Sequence, residues 1–165
     1  MVYRAMGVLF SESGYSVAFS EFHENAGAWT FTLKADNLYP TGNSVSLIEK
    51  FIEENKLQYQ VALIAVHAES PGALFSGASV AAATGLPVIT DLTALDMALG
   101  GNGEFYNSAL KKLNITNESL NELNKTICVA FMGMLRWREE YNFLSSITGA
   151  SRSSIGGAVW LGQEG

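Results

Sequence analysis

Six consecutive apolar residues, Val61-Ala62-Leu63-Ile64-Ala65-Val66, stand in the chain with no polar residue among them. A strand with one face in water alternates apolar and polar side chains, because successive residues point to opposite faces. A run that does not alternate, and is short for a helix, suggests a strand covered on both faces. Such a strand needs a layer above and a layer below, which points to a sheet with helices packed on it.

The preceding segments supply more strands. Arg4 to Phe10 is apolar, Tyr15 to Phe22 sets Val17 and Phe19 against Ser16 and Ser20, and Ala28 to Ala35 puts Trp29, Phe31 and Leu33 on one side. Ser13-Gly14 and Glu24-Asn25-Ala26-Gly27 are turn signals between them, so the simplest arrangement is an antiparallel three-strand meander. Pro40-Thr41-Gly42-Asn43 breaks the chain before a helix from about Ser44 to Asn55, with Val45, Ile48 and Ile52 inward and Glu49, Glu53 and Glu54 outward. After the apolar run come a small-residue helix, Ala78 to Thr84, a Gly85 cap, and a second buried strand, Leu86 to Thr90. The expected fold class is therefore α/β with a mixed sheet. Beyond Gly100, Gly101 and Gly103 the spacing predicts mainly one long helix, striped by Leu120, Leu123, Ile127, Ala130, Phe131, Met134 and Leu135. Thr116 or Asn117 would be its N-cap, and Ala158 to Leu161 a terminal strand.

With 165 residues, 48% apolar and only 16% charged, the chain suits one domain with a real core. A net charge of −6 argues against a nucleic-acid partner. The basic groups Lys111-Lys112 and Arg136 with Arg138 read as solvated helix faces. Cys128, the single cysteine, lies in the apolar stretch Ile127 to Phe131 and reads as a buried inert thiol. It leaves no internal disulfide and no multi-Cys metal site. No signal pattern and no membrane-length apolar stretch are evident, so a soluble, cytoplasmic protein with no membrane partner is expected.

Asp91 stands at the carboxyl end of a predicted strand with Asp96 shortly after it, and ligands of open α/β sheets bind beyond those ends. A carboxylate there can take a hydroxyl proton or hold a sugar hydroxyl, or it can simply cap the next helix. Gly100-Gly101-Asn102-Gly103 offers unobstructed backbone N–H groups, or a plain turn. His67 ends the central strand. With only His23 beside it and no carboxylate cluster, no metal site is expected. Ser11-Glu12-Ser13-Gly14 reads as a hairpin turn that could hold phosphate only weakly, since Glu12 would repel it. No Walker or G-x-G-x-x-G pattern is present.

Two stretches resemble the anhydro-N-acetylmuramic acid kinase family of sugar kinases, in the actin/hexokinase/Hsp70 superfamily. One runs from Gly77-Ala78-Ser79 through Thr84-Gly85-Leu86-Pro87-Val88-Ile89-Thr90-Asp91 to Asp96 and Gly100-Gly101-Asn102-Gly103. The other runs from Leu135-Arg136-Trp137-Arg138 to Thr148-Gly149-Ala150-Ser151 and Ser154-Ile155-Gly156-Gly157-Ala158. Residues 1–113 are similar to that family's N-terminal lobe and 117–165 to its C-terminal helix and tail. The resemblance implies a single ribonuclease-H-like (actin-like ATPase) domain. It makes His67, Asp91, Asp96, Gly100, Gly101, Asn102 and Gly103 the sugar-side residues, and Ser11, Ser13 and Gly14 a remnant phosphate loop.

The departures carry equal weight. The loop is short and lacks the family's Gly-Thr and Asp; Ala78, Thr93 and Asn102 replace its Asp, Arg and Gln; and the second lobe, with its phosphate, metal and adenosine sites, is missing between Leu113 and Leu120. Phosphoryl transfer depends on positioned phosphates, metal and charge stabilisation. The leading expectation is a non-catalytic relative, a homodimeric binding module for a cell-wall-derived amino sugar, with no cofactor. The alternative is a minimal ATP- and Mg-dependent amino-sugar kinase of peptidoglycan recycling, completed by a dimer or partner chain, with Asp91 as base.

Overall fold

The structure, a computed structural model, describes residues 1–40, 42–69, 77–92, 104–116 and 120–148. Strands β1 (Val2–Ser11), β2 (Gly14–Asn25) and β3 (Ala28–Tyr39) form the expected meander. Then follow α1 (Ser44–Glu54), β4 (Leu63–Ala68), α2 (Gly77–Thr84), β5 (Val88–Ile89), α3 (Glu104–Leu113) and α4 (Glu122–Thr148). The sheet order is β3-β2-β1-β4-β5; β4 and β5 run parallel to β1, and β2 alone runs opposite. That order and direction define a ribonuclease-H-like α/β fold.

The non-alternating run explains itself. Leu63, Ile64, Ala65 and Val66 are all buried, because β4 has helices on both faces. On one face Tyr3, Ala5, Leu9, Ala18, Phe22, Leu63 and Ala65 pack against α3 and α4. On the other Met6, Val8, Phe10, Val17, Phe19, Ile64 and Val66 pack against α1 and Val80 of α2. Trp29, Phe31 and Leu33 share the α4 side as their alternation predicted. A bulge opposite Phe19/Ser20 then reverses the facing of β3, so that Ala35 lies on the α1 side.

Close approach fixes α4 over the sheet. A side chain on Gly7 would collide with the Thr126 carbonyl and crowd the Ala130 backbone, and one on Gly133 would collide with Ala65 Cβ. Across the other face Arg4 and Lys34 both pair with Glu21, at 3.0 and 3.3 Å. The Arg4 hydrogen bond is the chief cause holding the Glu21 carboxyl below its ordinary range.

Several expectations need correction. Residues 104–113 form a separate helix, α3, where one long helix was expected. The long helix begins at Glu122, and the side chain that caps its first turn is Asn121, whose Oδ1 accepts from Asn124 N at 2.9 Å, not Thr116; Asn117 is outside the described residues. Leu120 therefore precedes α4. The buried face of α1 is Leu47, Ile48 and Phe51, with Val45 and Ile52 at its margin, and its N-cap is Asn43. The strand expected at Leu86 to Thr90 shrinks to two half-buried residues because it lies at the sheet edge. The Gly85 cap is present, with φ +71 and its N–H donating to the Ala81 carbonyl at 2.8 Å. Among the described residues no helix is long and apolar enough to cross a membrane. The strand expected at Ala158 to Leu161 lies outside the described residues.

Candidate functional site

At the carboxyl ends of β1 and β4, three segments meet. The β1–β2 turn is a two-residue loop, Glu12-Ser13, flanked by the pair Ser11 and Gly14. Gly14 has φ +121 and lies against the Tyr39 carbonyl, where a side chain would collide. Beside it the backbone of Glu69, just past β4, donates to the Phe10 carbonyl at 2.8 Å. The third segment is the first turn of α4.

Glu122, in that first turn, is the centre of the arrangement. Ser11 Oγ and Ser13 Oγ both donate to its Oε1, each at 2.9 Å. One turn on, Lys125 Nζ pairs with Glu69 Oε2 at 3.1 Å, and Tyr106 OH donates to the same oxygen at 3.2 Å. The Lys125 ammonium also stands 5.6 Å from the Tyr106 ring centre. Beneath these, buried Thr126 Oγ1 lies 2.7 Å from Ser16 Oγ and 2.6 Å from the Glu122 carbonyl. His67 is buried with its ring edge-on to Phe105 at 4.7 Å and near Tyr106 at 5.9 Å.

Asp91 follows the carboxyl end of the edge strand β5. Its Oδ2 accepts from Arg136 Nε at 3.0 Å, with both side chains nearly half-exposed. Arg136 lies eleven residues beyond Lys125 on α4, about 16 Å along the helix. The structure thus brings Ser11, Ser13, Gly14 and His67 to the carboxyl ends of β1 and β4, while Asp91, two residues past the carboxyl end of the parallel edge strand β5, pairs with Arg136. Asp96, Gly100, Gly101, Asn102 and Gly103 lie outside the described residues.

Arg136 and Arg138 depart from the solvated reading: Arg138 pairs with Glu24 at 3.2 Å and lies 5.2 Å from the Trp29 ring centre. Among the described residues no group of three or more His, Cys, Asp or Glu side chains could hold a metal ion. Sequence reasoning missed Glu69, Tyr106, Glu122 and Lys125. Glu69 had a usable signal, since it directly follows the strand that His67 was taken to close.

No family model matches the chain, and no curated protein does. Among solved structures, a Thermus thermophilus RuvC structure is similar over 79% of this chain and 91% of that chain, at 17% identity and a TM-score of 0.48.

Proposed function

We propose that this chain is a non-catalytic relative of anhydro-N-acetylmuramic acid kinase that acts as a binding or interaction module, with a cell-wall-derived amino sugar as its ligand class. The observation that carries the reading is the pair of hydrogen bonds from Ser11 and Ser13 to Glu122. These hydroxyls are the side-chain donors with which the turn would hold a phosphate, and a carboxylate of the chain itself takes them. Glu122 and exposed Glu12 also put negative charge where a phosphate would have to sit. Like charges at such separations repel. Asp91, the base of the kinase reading, is engaged by the Arg136 guanidinium at 3.0 Å.

The proposed assembly is a homodimer, and no cofactor is required. Calorimetric titration with ATP-Mg²⁺ is the direct test, with a coupled kinase assay on anhydro-N-acetylmuramic acid beside it. No nucleotide heat and no turnover, in any assembly state, is the expected result. Micromolar nucleotide binding, or turnover lost in Asp91→Asn, would overturn the reading. Crystals grown with a muramic-type sugar test the ligand class through density beside Asp91.

A further inference from the structure

An open groove lies at the other end of the sheet, where the chain enters β4 and β5. It encloses about 740 Å³ between the C-terminal half of α1, the Leu57–Val61 connection and the end of α2. That volume is within the range of small-molecule sites. Buried Leu57 and Val61, with half-buried Ile52 and Leu86, give it an apolar floor.

The rim is acidic. Glu49 and Glu53 both line the groove, and four-residue spacing puts them on one face of α1. Both are exposed, and among the described residues neither forms an ion pair; the neighbouring Lys50 pairs with Glu54 instead, at 3.7 Å. Ala83, Thr84 and Gly85, also lining the groove, form the C-terminal end of α2, the end at which a helix carries partial negative charge. Among the described residues no lysine or arginine lines the groove. Tyr59 completes the rim as a fully exposed aromatic ring.

We infer that this groove is a binding site for a small organic cation: an ammonium group carried on an apolar body. The floor takes the apolar part, Glu49 and Glu53 neutralise the charge, and the Tyr59 ring offers a face to it. The geometry discriminates by charge, because a neutral molecule of the same shape gains only the floor. An anion is repelled by the rim. This site is independent of the carboxyl-end cluster and does not rest on the amino-sugar reading.

The test is NMR titration of the full chain with benzylammonium, benzyl alcohol and benzoate at low salt. Benzylammonium is expected to shift the amides of Leu57, Tyr59, Gly85 and Leu86 and to bind about fivefold or more tighter than benzyl alcohol, weakening as salt screens the carboxylates. The double variant Glu49→Gln/Glu53→Gln, changed only at exposed positions, is expected to erase that preference, and Tyr59→Ala to reduce it. Equal binding of the alcohol, shifts located elsewhere, a preference intact in the double variant, or no binding at about 10 mM benzylammonium would overturn the inference.

Discussion

Ser13 Oγ and Glu122 Oε1 stand 2.9 Å apart although 109 residues separate them, and Ser11 shares the same acceptor oxygen. The contact joins the first hairpin to the last described helix. Hydrogen bonds to a charged group contribute about 1.5–3 kcal/mol each when well sheltered. Here the partners are partly exposed, so Glu122→Ala should cost about 1–2 kcal/mol in urea unfolding. Ser11→Ala/Ser13→Ala should cost a similar amount, and the triple variant little more than either. Fully additive losses would mean that the serines and Glu122 do not act on each other.

Gly133 tests how closely α4 rides on the sheet. Alanine is favoured over glycine inside a helix by about 1 kcal/mol, so an exposed site would gain stability from Gly133→Ala. Here the added methyl meets Ala65 Cβ. Overpacking a tight core costs about 1–3 kcal/mol, and the contact is with a short side chain on a central strand that cannot swing aside. A net loss is expected. Gly7→Ala should be worse, because the obstacle is the backbone of α4 itself. A neutral or stabilised Gly133→Ala protein would show the two layers standing further apart.

Much of this architecture was legible where burial alone sets the pattern. Val61 to Val66 announced a doubly covered strand, and Trp29, Phe31 and Leu33 announced the face of β3. The stripe from Leu123 to Leu135 announced α4. Legibility failed where non-local partners decide. Phe105, Tyr106, Ala109, Leu110 and Leu113 have helical spacing, which merged into the one long C-terminal helix expected; only packing against α4 shows it to be a separate element. The pairings of Asp91 with Arg136 and of Glu122 with Ser11 join residues 45 and 111 positions apart. Nothing in local composition encodes them. The same holds for the bulge opposite Phe19/Ser20, which depends on two strands together.

The β2–β3 turn offers a gain in stability. Ala26 and Gly27 have φ of +53 and +83, the doubly left-handed pattern of a type I′ hairpin turn. Glycine suits the second position, whereas alanine at the first holds a conformation that costs an L-residue about 1–2 kcal/mol. Asparagine tolerates it far better and precedes glycine in the favoured version of this turn. Ala26→Asn should therefore stabilise by about 0.5–1 kcal/mol, seen as a higher urea midpoint with unchanged slope. The neighbouring Asn25–Ala28 pair closes the hairpin in either protein. No change, or a loss, would place the turn in another conformation.

Cys128 makes stability depend on alkaline pH in a direction that can be worked out. Its side chain is fully buried in the α4 face of the core, and burial pushes the thiol from 9.0 up to about 12. The folded protein therefore holds this proton when the unfolded chain has already released it. Stability from this group is complete below the unfolded pKa and falls as pH rises from about 9 toward about 12. The slope approaches about 1.4 kcal/mol per pH unit within that window. Cys128→Ala removes the titration, and although the smaller side chain costs stability at neutral pH, its alkaline decline should be shallower by that slope. Tyrosines and lysines also titrate there, so the difference between the two proteins is the quantity to read. A thiol reagent should label the native protein only at the rate of opening or unfolding and should label urea-unfolded chain at once. Rapid native labelling, or equal alkaline slopes in the two proteins, would put Cys128 in contact with solvent.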